Sequence, residues 1–252
     1  MTGRIIMRFC LTFEPEDVLT LPLAHHHILQ GFIYSVLSNN EAYSHFLHEQ
    51  GYSFGKSSFK LFTFGPLNGT YQVNSKRKEI SFFGKITFEI RSADFHFSEA
   101  FLDGLYSNNL FHLGRTNIRI INVNTDVPNI TKNRIQIRML SPIVLYHTVS
   151  TPEGNKTIYH NPLEDHYETW LNDNLQKKYS ALYPDNPIPH LKFSTISVGS
   201  RDKYVTLFKR HTYINGWKGT YQLQAPSNVL EFLYYVGLGS KNSEGFGMFE
   251  IK

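Results

Sequence analysis

The chain holds a single cysteine, Cys10, in 252 residues, so no disulfide can form within it and a cysteine-rich zinc site is excluded. Apolar runs are short. None approaches the roughly 20 residues that a membrane-spanning helix requires, and Arg4, Arg8 and Glu14 interrupt the stretch where a secretory leader would lie. A large charge of either sign is missing too, since 25 basic and 21 acidic residues leave a formal +4. These absences predict a soluble, cytoplasmic protein with no membrane partner, in which Cys10 is a reduced core thiol in a strand. Aromatic residues are plentiful instead, 15% of the chain within a hydrophobic fraction of 41%. That content excludes disorder and implies packed cores, and the length allows one large domain or two of ordinary size.

The small positive excess is concentrated. Arg201, Lys203, Lys209, Arg210 and Lys218 face only Asp202 in their segment, a surplus equal to that of the whole chain. Tyr204, Phe208, Tyr213 and Trp217 lie between them. Cations for phosphates alternating with rings for bases suit an RNA-binding surface, and an ordinary solvated hairpin has the same composition.

The last sixteen residues, GLGSKNSEGFGMFEIK, place Gly237, Gly239, Gly245 and Gly247 around Lys241. Glycines permit positive φ and close approach, so backbone amides here could line an anion site. The spacing is wrong for a Walker A loop, and the position is wrong for a dinucleotide fingerprint. A glycine-rich hairpin without a ligand is the competing reading.

Hydrophobic periodicity organises the remainder. Ile5, Met7, Phe9, Leu11 and Phe13 alternate as a strand. Ile28, Leu29, Phe32, Ile33, Val36 and Leu37 recur at helical spacing, Ser38-Asn39-Asn40 breaks the pattern, and residues 41–49 read as a second short helix. Strands over 59–64 and 80–90, a helix over 95–105 and a strand over 117–123 complete a β-α-β-β-α-β order. A polar segment, 122–133, contains Pro128 and reads as a linker. The pattern then restarts with a strand from Ile135 that continues towards Tyr146. A helix follows, capped by Asn161-Pro162-Leu163-Glu164, with Leu163, Tyr167, Trp170, Leu171, Leu175, Tyr179 and Leu182 as its apolar stripe. Strands near 190–198, 204–209 and 218–224, a helix over 226–235 and a strand over 246–251 close the unit, making the second half one strand richer. The expected fold is α+β, two tandem ferredoxin-like (RRM-like) βαββαβ domains, 1–123 and 134–252.

Gly-apolar-Gly, five residues, Gly-apolar-Gly at this end of the chain resembles the signature loop of the CRISPR-associated endoribonucleases that process repeat RNA, the Cas-six family of the RAMP superfamily. MRFCLTFEPED resembles the family's first strand, with Met7 a candidate original start. LPLAHHHILQGFIYSVL resembles its first helix, and FLHE followed by FKLFTFG resembles the segment carrying its active-site residues. The resemblance implies the same tandem architecture, CRISPR repeat RNA as partner, no cofactor, and metal-independent cleavage by 2′-OH attack that leaves a 2′,3′-cyclic phosphate and a 5′-hydroxyl. It leaves open other effector-complex subunits and a homodimer.

Such chemistry needs a base, an acid and a cation at the phosphate. By motif, Tyr34, His48 and Lys60 match the family's catalytic positions, with Lys56 the rival of Lys60. The domain 1–123 would therefore carry catalysis. Gly237, Gly239, Lys241, Gly245 and Gly247, together with Arg201, Lys203, Lys209 and Arg210, would bind RNA. On one unbroken helix Tyr34 and His48 would stand about 21 Å apart, so the break at 38–40 is required. His25, His26 and His27 point in different directions on a helix and cannot share a metal, and they read as polar surface, with His27 a further candidate for the catalytic surface. His45 and His48 lack a third ligand nearby, so no metal site is expected. A non-cleaving RAMP-type subunit that grips guide RNA is the alternative, and an unrelated ferredoxin-like enzyme with a small phosphate ligand is a third reading.

Overall fold

In a computed structural model, residues 7–108, 110–152, 154–186, 188–208 and 212–252 are described. Ile5, Lys209 and Arg210, named above, lie outside them. The first unit runs β1 (Met7–Pro15), β2 (Leu19–Pro22), α1 (His26–Leu37), α2 (Glu41–Glu49), β3 (Tyr52–Phe54), β4 (Ser57–Phe59), β5 (Phe62–Phe64), β6 (Asn68–Asn74), β7 (Glu79–Ser92), α3 (Phe95–Ser107), β8 (Phe111–Leu113) and β9 (Thr116–Asp126). Its antiparallel sheet has the central order β6-β7-β1-β9. Alternation on β1 sends Phe9, Leu11 and Phe13 inward, where they meet Leu29, Phe32, Ile33 and Val36 of α1 and Phe97 and Phe101 of α3 in one core.

The second unit runs β10 (Arg134–Met139), β11 (Tyr146–Thr151), β12 (Gly154–Tyr159), α4 (Tyr167–Leu182), β13 (Lys192–Ser197), β14 (Lys203–Phe208), β15 (Thr212–Trp217), β16 (Thr220–Gln224), α5 (Ser227–Val236) and β17 (Phe249–Ile251). Its sheet is ordered β13-β16-β10-β17. Labelled by their place in βαββαβ, both sheets read 2-3-1-4, the ferredoxin-like order expected from the sequence. Two hairpins, β11–β12 and β14–β15, are inserted outside that frame.

Several details differ from what the sequence predicts: the first residues of the expected linker 122–133 continue β9 to Asp126, and Cys10 is half-buried on β1, because it alternates with the inward-facing Phe9 and Leu11. The strand expected to run from Ile135 towards Tyr146 stops at Met139, because the buried stretch around Pro142 leaves the sheet before β11 starts. The box at Asn161 forms, with Asn161 N–H donating to Glu164 Oε1 and Leu163 N–H to Asn161 Oδ1, both at 3.0 Å. It closes only a turn, however, and the helix begins at Tyr167, which leaves Leu163 55% exposed. The last strand starts at Phe249, three residues late. The first unit is also the richer in strands, β1 to β9 against β10 to β17 among the described residues.

Candidate functional site

The segment between α2 and β5 joins the two units. Leu61 is buried in the second core while its neighbour Phe62 is buried in the first. To face opposite cores in succession, the backbone adopts φ 54° at Leu61. A non-glycine residue pays about 1 kcal/mol or more for that conformation. The strand expected over 59–64 is therefore split, and Lys60 stands at the seam.

The helix break does what the spacing required. Asn40 Oδ1 accepts the Tyr43 N–H at 3.0 Å and caps α2, which turns back beside α1. The His48 ring then meets the Tyr34 ring edge-on, centroids 5.4 Å apart at 78°. Tyr34 is half-buried, and burial pushes its phenol up to about 12, so at neutral pH it is a proton donor. His48 is 67% exposed at the side chain, and its Nδ1 pairs with Glu49 Oε1 at 2.7 Å. That bond holds the Glu49 carboxyl below its usual value and leaves His48 Nε2 without a partner among the described residues. Lys60 Nζ donates to the His48 carbonyl oxygen at 2.9 Å; burial lowers its pKa, and two of its N–H donors stay available. Tyr34 of α1, His48 of α2 and Lys60 of the β4–β5 link thus come to one place. Lys56 is exposed nearby.

A cleft of about 670 Å³ opens between the units. Lys56 and Lys60 line one wall, the start of β11 and the face of α4 another, and the glycine loop a third. Among the described residues, no three His, Cys, Asp or Glu side chains converge as metal ligands.

Several amides of the glycine loop are engaged within the protein. The amides of Gly237, Leu238, Ser240, Gly245 and Gly247 already donate to the carbonyls of Leu233, Gly247, Val144, Asn242 and Pro142. Those amides cannot also serve a phosphate. All four glycines have positive φ, between 68° and 90°, and all are buried. Carbonyls of the loop face the first unit instead: Ser243 O accepts Gln30 Nε2 at 2.7 Å, Phe246 O accepts Thr63 Oγ1 at 3.1 Å, and Glu244 O pairs with His26 Nδ1 at 3.1 Å. The loop bolts the units together. Lys241 is part of the same assembly, paired with Glu244 at 3.2 Å and lying near the rings of Tyr146 and Phe208.

One residue of this bolt, Lys178, was not singled out in the sequence, and another, His26, was expected at the polar surface but packs at the seam. Lys178 is 2% exposed and donates to Gly237 O, Gly239 O and Asn242 Oδ1 at 3.0, 2.7 and 2.6 Å. Burial lowers its pKa to about 7. Its position three residues after Leu175 on the apolar stripe was the available signal, hidden by the adjacent Lys177. His26 stacks on Phe246 at 4.8 Å, and burial holds it at about 4, so it is a neutral packing group. His27 is exposed.

Arg201 and Lys203 lie exposed at the base of the β14–β15 hairpin, and Lys218 follows it. None of the three has a carboxylate partner among the described residues. The hairpin is seated on the loop through Phe208, Ile214, Val144 and Phe246.

Two ferredoxin-like units in series, bolted by a C-terminal glycine loop beside a lysine-lined cleft, define a tandem ferredoxin-like protein. The chain belongs to the Cas6 family: the family model described as "CRISPR-associated protein Cas6, N-terminal" matches residues 20–124, and "CRISPR associated protein Cas6, C-terminal" matches residues 124–251. A Methanocaldococcus jannaschii protein named CRISPR-associated endoribonuclease Cas6 1 is 28% identical over 243 residues, covering 96% of this chain and 91% of that one. The Pyrococcus furiosus CRISPR-associated endoribonuclease Cas6 is 25% identical over 258 residues, covering 98% and 90%. A solved structure described as CRISPR associated protein Cas6 has a TM-score of 0.79 at 25% identity and covers 98% of this chain and 100% of its own. Another, described as an RAMP protein binding different RNA substrates, has a TM-score of 0.80 at 16% identity, covering 98% and 99%, which is a likeness of fold. No described helix is long and apolar enough to cross a membrane.

Proposed function

We propose that this protein is an endoribonuclease that cuts CRISPR repeat RNA, without a metal ion, to release guide RNAs. The supporting observation is the meeting of Tyr34, His48 and Lys60, with the His48 ring 5.4 Å from that of Tyr34 and Lys60 Nζ 2.9 Å from the His48 carbonyl. The relatives named as endoribonucleases agree with it. With Nδ1 held by Glu49, His48 presents Nε2 and takes the proton of the ribose 2′-OH. The 2′ oxygen attacks the adjacent phosphorus, the bond from phosphorus to the 5′ oxygen breaks, and Tyr34 supplies the proton that the leaving oxygen needs. The free N–H donors of Lys60 stabilise the negative charge that builds on the phosphorane. The products are a 2′,3′-cyclic phosphate and a 5′-hydroxyl.

The test is incubation with the host's repeat RNA in EDTA, followed by end-group analysis. Cleavage with those ends is expected. Binding without cleavage would indicate a subunit that only grips RNA, and ends of the opposite polarity would indicate attack by water.

A further inference from the structure

Opposite Lys56 and Lys60, the cleft wall carries a row of hydrogen-bonded side chains with no part in the chemistry above. Glu164 Oε2 pairs with His160 Nδ1 at 3.0 Å, and His160 Nε2 pairs with His147 Nδ1 at 2.6 Å. His160 is 5% exposed, and its ring lies on Trp170 with centroids 3.5 Å apart at 27°. The His147 ring lies edge to edge with that of His160, centroids 4.8 Å apart and planes 23° apart, is exposed, and lines the cleft.

Bond logic fixes the protons. A carboxylate only accepts, so His160 Nδ1 carries a proton and, in the neutral ring, His160 Nε2 accepts. His147 Nδ1 must then donate, which makes His147 Nε2 an unprotonated acceptor. Three of the four ring nitrogens are committed, and His147 Nε2 has no partner among the described residues. A further proton therefore enters the row at that atom, at the cleft surface. Its charge lies two hydrogen bonds from the Glu164 carboxylate, which orients the row as an outer carboxylate orients a histidine. A row that needs a proton to become a donor, facing a lysine-lined cleft, fits an anion whose arrival draws that proton from solvent.

We propose that His147, backed by His160 and Glu164, is an anchor for a phosphate of the RNA backbone, and that it takes up a proton as the RNA binds. The proposal rests on the reading that RNA occupies this cleft, and not on the assignment of His48, Tyr34 and Lys60. His147 is a binding residue here, while His160 and Glu164 are positioning residues.

Other charged groups face the same space: Asp173, Lys177 and Lys178 from α4, Lys56 and Lys60 from the wall opposite, and the Lys241–Glu244 pair from the loop. The His166 ring also lies near Trp170, with centroids 6.0 Å apart. Exposed lysines and carboxylates keep their charge between pH 6 and 8. Lys178, which burial brings to about 7, does not have that constancy, so the informative quantity is the difference between wild type and a variant that leaves it in place.

The probe is host repeat RNA with a 2′-deoxy nucleotide at the cleavage position, and affinity is read between pH 5.5 and 8.5 in wild type, His147→Gln and Glu164→Gln. Wild-type affinity should fall with rising pH more steeply than that of His147→Gln, by up to about tenfold per pH unit for one linked proton. Glu164→Gln should flatten the profile in part, an effect that mere loss of packing would not produce. Wild-type slopes in both variants would overturn the proposal, as would a loss of the saturated cleavage rate in His147→Gln with affinity and slope intact. Binding heats of wild type in two buffers of different ionisation enthalpy give proton uptake without any variant, and uptake near zero also overturns it. Proton-linked binding without cleavage of unmodified RNA would sink the proposed function and leave this site standing. A wild-type protein that binds no RNA would end both.

Discussion

Arg91, near the end of the longest strand of the first unit, donates Nη1–H to the carbonyl oxygen of Phe249 in the last strand of the second at 2.7 Å. The same guanidinium reaches Tyr234 O at 3.3 Å, lies 3.7 Å over the Tyr234 ring, and pairs through Nε with Glu89 Oε1 at 2.6 Å. Arg8 holds Glu89 from the other side at 2.8 Å. A 2% exposed guanidinium with these partners couples the two sheets.

Removing it leaves a part-buried carboxylate and two carbonyls short of donors. Arg91→Ala should lower unfolding stability by about 3–5 kcal/mol, read in chemical denaturation. Burial pushes the Glu89 carboxyl up, but Arg91 and Arg8 outweigh that, and the group sits net below its ordinary 4.5. A depressed carboxylate stabilises above its unfolded pKa, and that stability is lost as pH falls through the folded value. Wild type should therefore lose stability below about pH 4.5, and Glu89→Gln should show a shallower loss there.

His48→Ala should slow single-turnover cleavage by about 10²–10⁴-fold while RNA affinity changes far less. Replacing the 2′-OH at the cleaved nucleotide with hydrogen should abolish the reaction. Full activity in His48→Ala would move the proton transfer elsewhere, with exposed His27 the first place to look.

Lys178 has a pH signature of its own. Burial lowers its pKa from 10.5 to about 7, so between those values the unfolded chain holds a proton that the folded protein has released. Stability relative to Lys178→Met should rise as pH increases from 7, by at most about 1.4 kcal/mol per pH unit. Thermal unfolding of the two proteins at pH 7, 8 and 9 measures that difference. A pH-independent gap would mean that the ammonium stays charged throughout.

At Gly245, φ is 90° and an added Cβ would lie 2.6 Å from Phe64 and 2.7 Å from His26 Nδ1. Gly245→Val should therefore cost folding stability, on the order of 1 kcal/mol or more from the backbone alone. The folded fraction should bind RNA as wild type does. A stable Gly245→Val protein with impaired binding would return the loop to the RNA surface.

The base of the basic hairpin makes a separate case. If Arg201 and Lys203 touch phosphates, changing both to alanine should lower the slope of log affinity against log salt by about 0.7 for each phosphate no longer neutralised. An unchanged slope would make them solvated surface.

The parts of this molecule visible in its sequence are those with local causes. Alternation on β1 and β7, helical spacing on α1 and the Asn40 break each declare themselves within a few residues. So does the need for Tyr34 and His48 to meet across that break. What stayed hidden is set by partners far away in the chain. Nothing near Lys60 says that Leu61 and Phe62 must enter different cores. The glycines announced unusual backbone but not its purpose, because their neighbours, Val144, Phe64 and His26, come from outside the loop. A capping box at Asn161 looks the same whether it opens a helix or closes a turn. His147 and His160 are thirteen residues apart and meet only because a hairpin doubles back.

Both hairpins of the second unit leave the chain between elements of the βαββαβ frame, β11–β12 after the first strand and β14–β15 after the second. They meet each other through Tyr159 Oη, which donates to Tyr213 O at 3.1 Å, and neither is hydrogen-bonded into the four-stranded sheet. Residues can be gained, lost or exchanged at their tips without shifting the register of any core strand. The surface they present can thus be altered independently of the strands that carry the second core.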